Sequence, residues 1–485
     1  LAAKKTAASV NVRLVSVVAL RRQTSPLIAE FLNDPDPLVV EEGARAIHDE
    51  RGIPAALPQL AALLDRRAPS EVITRRALNA NLRLGTPEGA ARLLSLGLDA
   101  TADRAMREEA LSALQVWRAP EPLDRVDGFA RTFKSAPIAA VLSPKLGDLL
   151  ALTDPGLKTL AIQIMIAHAL RAAPEQIAAI VGEAKAAGEL RAQALRLMAG
   201  GEQRQHPAFK AALETALAPA APAPLHRAAL ELLLPDQPAR LVAELQLVLE
   251  KRPVPEKQHA LALLAKAAQP ATDAVLATYA AALVAGTCAP ELKLDVIEAV
   301  TARGVADAGL AAKAKAYGDS PAAAARNELL AGGSLAAGRE VVLNHLNANC
   351  LACHGIERNG GSEVGPNLSM IGSQRDPAYL LEALLTPSAK IATGYGIVSV
   401  TLKDGTVVSG TLAKETPQAV TVRLFDGASK ALARGDIANQ TSPVSIMPPM
   451  LGVLQPREVR DVVAFLASLK PRGKESAKAE PEGGQ

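Results

Sequence analysis

The chain has 485 residues, of which 49% are hydrophobic, 21% charged and only 2% aromatic. That apolar share excludes disorder throughout, and so few aromatic residues fit helices far better than a β-sandwich. Lys+Arg 53 against Asp+Glu 50 leave a formal charge of +3, too balanced for a dedicated nucleic-acid binder, and no apolar run is long enough to span a membrane.

The length suggests about two to four domains. The chain opens on Leu1, with no charged stretch followed by an apolar one. Residues 1–23 are therefore expected to be a lead-in, the remnant of an upstream domain in a processed protein or a piece of a longer one.

Within a segment read as 24–325, one pattern keeps returning between about Thr24 and Arg303, a small residue followed by Leu or Ile inside an amphipathic helical stretch. It occurs at Ala46-Ile47, Ala77-Leu78, Ala110-Leu111, Ala161-Ile162, Ala194-Leu195, Ala229-Leu230, Ala260-Leu261 and Val296-Ile297. The intervals are 31, 33, 51, 33, 35, 31 and 36 residues. A period in the thirties with two helical runs per unit predicts an α-solenoid. The long interval, covering Pro120 to Pro155, is expected to hold an irregular unit or an insertion. Asp34-Pro35-Asp36-Pro37 and Thr153-Asp154-Pro155 read as helix starts, with a capping oxygen followed by a proline pre-set for the first turn. The units resemble HEAT-type repeats, most clearly from Asp36 to Ile47.

No catalytic constellation appears in this segment. His48, His168, His206, His226 and His259 are scattered without the paired spacing of a metal site, and are expected on the surface or satisfied in the core. Cys288 reads as a buried or half-buried free thiol, and Trp117 as a core residue. The segment is expected to be a scaffold.

The chemistry lies in the last third. After a short helix predicted over about 334–346 comes Cys350-Leu351-Ala352-Cys353-His354, which holds two of the chain's three cysteines. Two thiols three residues apart can add across the two vinyl groups of haem as thioethers, and the following histidine is placed under the iron as proximal ligand. A zinc ribbon needs a second Cys/His pair, and no cysteine follows Cys353. A thioredoxin-like pair would sit beside a βαβ pattern, which the flanks lack. The expectation is one covalent haem c.

Gly365-Pro366-Asn367-Leu368 follows, and a backbone carbonyl there is expected to accept from the proximal imidazole Nδ1–H. Pro366 and Leu368 are placed in the haem pocket with Cys350, Cys353 and His354. Tyr379 and the Leu380-Leu381-Leu384-Leu385 run predict a further helix. For the sixth ligand the reading favours Met447, in the Ser445-Ile446-Met447-Pro448 loop before the final helix. Met450 stays open as an alternative, as do His345, water or an open site, whereas Met370 lies too close to the proximal segment. The final helix is predicted over Pro456 to Leu469, with Val459, Val462, Val463, Phe465, Leu466 and Leu469 on one face against the 334–346 helix.

Between about 396 and 439 the period switches from 3.6 to 2. Val398, Val400 and Leu402 alternate with Ser399 and Thr401, Asp404-Gly405 turns, and Val407 to Leu412 returns. Val420, Val422 and Leu424 form another strand before Asp426-Gly427. This predicts a small inserted β-meander or SH3/Sm-like barrel, serving as a lid over the haem or a docking surface. The last fifteen residues, 471–485, read as a disordered tail.

Residues 334–470 resemble the haem-binding domain of large multidomain proteins of the planctomycete and verrucomicrobial group. The matching residues are Cys350-x-x-Cys353-His354, Gly365-Pro366-Asn367-Leu368, Thr386-Pro387-Ser388-Ala389-Lys390-Ile391, Gly394-Tyr395, Lys403 to Gly410, Ser445-x-Met447-Pro448 and Glu458 to Leu466. In that family a HEAT-like segment often precedes the haem domain, and a propeller resembling sugar dehydrogenases often lies further upstream. The resemblance implies haem c on Cys350 and Cys353, His354 as proximal ligand and Met447 as distal ligand.

The fold expected is mainly α, a HEAT-like α-solenoid followed by a cytochrome c-like helical domain with a β insertion. The function expected is a monohaem electron-transfer module, with a dehydrogenase domain or protein as donor and another redox carrier as acceptor. As haem c attachment requires export, the expected location is the periplasm or cell surface. Two alternatives are a protein-interaction scaffold and a haem-based sensor with an open distal site.

Overall fold

The computed structural model describes residues 1–49, 52–66, 70–267, 269–356, 362 and 364–470. The segment 471–485, expected to be disordered, lies outside the described residues. The fold is mainly helical, with one small antiparallel sheet near the C-terminus. Among the described residues no helix is long and apolar enough to cross a membrane. The chain forms two compact units that divide between Leu233 and Leu234, inside the segment that the repeat pattern spans.

Helices of nine residues or more are numbered in chain order. The first unit holds α1 (Val10–Arg22), α2 (Pro37–His48), α3 (Glu71–Leu84), α4 (Pro87–Leu98) and α5 (Arg104–Gln115), then α6 (Pro155–Ala167), α7 (Pro174–Gly182), α8 (Gly188–Met198), α9 (Pro207–Leu217) and α10 (Ala223–Leu233). The helix starts follow from local chemistry. Asp36 accepts from the Leu38 amide at 2.9 Å and Asp154 from the Leu157 amide at 3.0 Å, each with proline at the next position.

The recurring dipeptides explain the packing. Those of the first unit lie one each in α2, α3, α5, α6, α8 and α10, and both residues of every pair are buried. These six helices pack in that order, each on the next, and alanine at each contact lets the backbones approach closely. The outer helices α4 and α7 pack on α5 and α8. Residues 1–23, read as a lead-in, contain α1, whose Val17 and Leu20 share a core with Val39, Val40 and Ile47 of α2.

The interval from Pro120 to Pro155 begins with an irregular stretch. Residues 118–138 form no helix; they fold back toward α2 and α3, and the Ala136 amide donates to the Gly85 carbonyl at 2.8 Å. Trp117 is fully buried there, its Nε1–H donating to the Ala136 carbonyl at 2.9 Å.

The second unit begins with α11 (Pro238–Lys251), α12 (Val254–Lys266), α13 (Pro270–Val284), α14 (Lys293–Gly304) and α15 (Ala308–Gly318). It continues with α16 (Leu335–Asn344), α17 (Pro377–Leu385), five strands and α18 (Pro456–Ser468). Val459, Val462, Val463, Phe465 and Leu466 of α18 are buried against α16 and α17, in one core with Leu294 of α14. Burial of such side chains contributes about 1.5–3 kcal/mol each. Helices α16 and α18 cross at Gly338, where a Cβ would stand 2.0 Å from the Asp461 carbonyl oxygen. Only a residue without a side chain permits that approach.

The strands are β1 (Ile397–Leu402), β2 (Val407–Glu415), β3 (Ala419–Arg423), β4 (Ser429–Ala433) and β5 (Ile437–Gln440). Their order is β4-β3-β2-β1-β5, so four strands run as a meander and β5 returns to the free edge of β1. Val398, Val400, Val408, Val420, Val422 and Leu432 form a core of their own, separate from that of the helices. The period-2 alternation thus marks a self-contained module between α17 and α18.

Candidate functional site

The segment after α16 turns sharply at Asn349, which sits in the left-handed region with φ +37°. Residues Cys350–Ala352 then form a 3-10 turn, and the Cys353 and His354 amides donate to the Cys350 carbonyl at 3.2 and 2.9 Å. That turn holds both thiols and the imidazole at one place. Both cysteines are half-buried and free of disulfide, and burial pushes the Cys350 thiol up from its ordinary pKa.

The 365–368 loop folds back onto this turn. The Gly365 amide donates to the Cys353 carbonyl at 2.6 Å, and the Leu368 amide to the Gly355 carbonyl at 2.9 Å. His354 Nδ1 lies 2.8 Å from the Pro366 carbonyl oxygen. A carbonyl only accepts, so Nδ1 carries the proton and Nε2 keeps the lone pair of the neutral ring. Gly365 packs on the imidazole so closely that a Cβ would lie 2.8 Å from Cε1.

A cavity of about 290 Å³ opens on these groups. Cys350, Cys353, His354, Pro366, Leu368 and Met447, the six residues singled out from the sequence, all line it. So does Met450, which is buried in the helical core, whereas Met447 is half-buried on its loop. Met370 is exposed and outside the lining. His345 is engaged elsewhere: its Nδ1 accepts from the Ala348 amide at 3.0 Å and its Nε2 lies 3.9 Å from Glu458.

The rest of the wall is apolar, from Val342, Leu380, Leu384, Val462 and Leu466, with a polar patch on one side. There the Arg375 guanidinium stacks over Tyr379, 4.7 Å from the ring centroid, and Lys390 pairs with Glu382 at 2.6 Å. Arg375, Tyr379 and Glu382 stand at helical spacing just before and along α17, and the patch closes where Lys390, beyond the helix, folds back onto Glu382 and Tyr379.

A second polar cluster lies in the first unit. His48 is fully buried at the end of α2; its Nδ1 bonds Asp49 at 3.0 Å and its Nε2 accepts from the Asn79 amide at 2.8 Å. Asn79 also donates to Asp124 at 2.6 Å, and Arg131 bonds both Asp124 and Asp127. His48, Asp124 and Asp127 are close enough to hold a cation. The Arg131 guanidinium already bonds both carboxylates and the His48 carbonyl, so the cluster is a lock between the irregular segment and helices α2 and α3.

In comparisons with known proteins, no family model and no curated protein matches the chain.

Proposed function

We propose that this chain is a monohaem c-type electron-transfer module carried on a HEAT-like α-solenoid. The observation that carries the reading is one apolar cavity lined by two free thiols, by an imidazole whose Nδ1 is committed to a backbone carbonyl, and by a thioether side chain. That donor set fits haem c. Cys350 and Cys353 would hold the group by thioethers, His354 Nε2 would be the proximal ligand and Met447 the distal one. The bound group supplies reversible one-electron transfer at its iron.

The chain's own residues do the rest. The Pro366 carbonyl fixes the imidazole tautomer, and Gly365 fixes its plane. The apolar wall from α16, α17 and α18 would surround the ring system of such a group with side chains rather than water, one of the levers that set its reduction potential. Stacked helices such as α2, α3, α5, α6, α8 and α10 would present a partner surface, in keeping with a solenoid. A dehydrogenase domain or protein would be the electron donor and another redox carrier the acceptor, at the periplasm or cell surface where haem c is attached.

The test is a visible spectrum of protein made with cytochrome c maturation, oxidised and reduced. Covalent haem with the weak far-red band of iron–methionine ligation, lost in Met447→Ala and kept in Met450→Ala, is the expected result. Covalent haem without that band moves the reading to a sensor with an open site. Absence of covalent haem overturns the reading and leaves a scaffold.

A further inference from the structure

The chain leaves the end of α17 for the sheet and comes back to the same place. Outbound it passes Ser388 and enters β1 at Ile397; inbound it leaves β5 at Gln440 and passes Thr441, Val444 and Ser445. The two passes are laced together. Ser399 and Thr441 exchange two hydrogen bonds, at 2.9 and 3.0 Å. Ile397 and Val444 exchange both backbone bonds, at 2.9 and 3.0 Å, and the Ser388 hydroxyl accepts from the Ser445 amide at 3.1 Å. With its ends side by side, the module inserts into the helical domain without stretching it.

The segment beyond is short and pinned at its far end too. The Met450 amide donates to the Leu384 carbonyl at 2.8 Å. Leu384 is in the last turn of α17, where carbonyls lack partners inside the helix. Residues 445–450 are therefore strung between two hydrogen bonds, one to Ser388 three residues past α17 and one to Leu384 in its last turn. Met447 lies between them, its amide donating to the Ser445 hydroxyl at 3.1 Å. Met450 has its side chain in the core, so it anchors the segment.

We infer that Ser388 is a positioning residue for Met447, and that the β module is a clamp that brings the methionine loop back to the cavity wall. The loop geometry stands by itself; its consequence for iron ligation rests on the haem reading above. A loop freed at Ser445 would hold the methionine sulfur at the cavity for a smaller fraction of time, and an external ligand would reach the iron more often.

The experiment uses the full chain with Ser388→Ala, and Ser388→Thr to restore the acceptor. Ser388 is exposed, so the core is unaffected. In haem-free protein, amide exchange over 444–447 is expected to quicken about five-fold in Ser388→Ala and to recover in Ser388→Thr, the factor that one ordinary hydrogen bond supplies. In haem-loaded protein, carbon monoxide binding to the reduced form should quicken by about the same factor at unchanged haem content. Unchanged exchange overturns the clamp. Faster exchange with unchanged carbon monoxide binding overturns the role of Ser388 in placing Met447. A wild-type chain without covalent haem overturns the proposed function, and the exchange arm then decides the clamp by itself.

Discussion

His354 donates from Nδ1 to the carbonyl oxygen of Pro366 at 2.8 Å, across twelve residues of sequence. That bond decides which ring nitrogen keeps its lone pair, and Gly365 decides where the ring lies. The two residues before Asn367 thus do different work on one imidazole. A backbone acceptor cannot be removed by mutation, but the packing can be disturbed.

Gly365→Ala is therefore the informative change. Its Cβ would fall 2.8 Å from His354 Cε1 and 2.9 Å from Nδ1, so the ring must move. Overpacking of this kind costs about 1–3 kcal/mol. The expected outcome is a chain less stable to urea by that amount, with the Nδ1–Pro366 bond weakened. Nitrogen NMR of the His354 ring in the haem-free chain reads the tautomer mixture directly; an unchanged spectrum would sink the idea.

The crossing of α16 and α18 makes a similar prediction at a backbone contact. A Cβ on Gly338 would stand 2.0 Å from the Asp461 carbonyl oxygen and 2.8 Å from the Phe465 Cβ, and neither is a flexible tip. Gly338→Ala must part the helices, at about 2–3 kcal/mol. Hydrogen exchange should quicken in both helices and leave the sheet amides unchanged, because the sheet has a separate core. Uniform protection across α16 and α18 would contradict the packing.

Local features of the fold were legible in the sequence, and distant ones were not. Asp36 and Asp154 announce helix starts because a cap acts within three residues. The Val398-Val400-Leu402 alternation announces β1 because side chains alternate along a strand. Cys350, Cys353 and His354 announce themselves by spacing. By contrast, Asp124 and Arg131 reach His48 and its neighbours over dozens of residues, from a segment with no period. Return contacts such as Ser388–Ser445 leave no periodic mark either. The first helix, α1, has weak amphipathicity, and its place in the core with α2 shows only in three dimensions.

The His48 lock carries a pH dependence. Burial alone would raise the Asp49 carboxyl, but hydrogen bonds from His48 and the Arg76 fork outweigh it and lower its pKa to about 2. A carboxyl depressed in the folded state stabilises the fold above its ordinary pKa near 3.8, and that contribution is lost as pH falls toward about 2. Asp49→Asn should flatten this part of the stability profile. Thermal melts of both proteins between those limits, showing parallel loss instead, would exclude Asp49 as the source.

The second unit is held together by an ion pair that no spacing signals. Arg460 of α18 meets Asp295 of α14 at 2.7 Å, with side chains only 5% and 0% exposed, and Arg457 lies 3.0 Å from the other Asp295 oxygen. A buried pair is costly to form, yet breaking it is costlier, because the remaining charge has no water to turn to. Asp295→Asn alone should destabilise the second unit by about 3 kcal/mol. Joint replacement by Asp295→Leu and Arg460→Met should recover most of that loss, since apolar packing of similar volume replaces a buried pair at little cost. Urea denaturation of the full chain, followed by hydrogen exchange in α14 and α18, separates the two outcomes. If the single and double variants lose the same stability, the pair acts through shape rather than charge, and α14 and α18 are joined by the apolar contact at Leu294 instead.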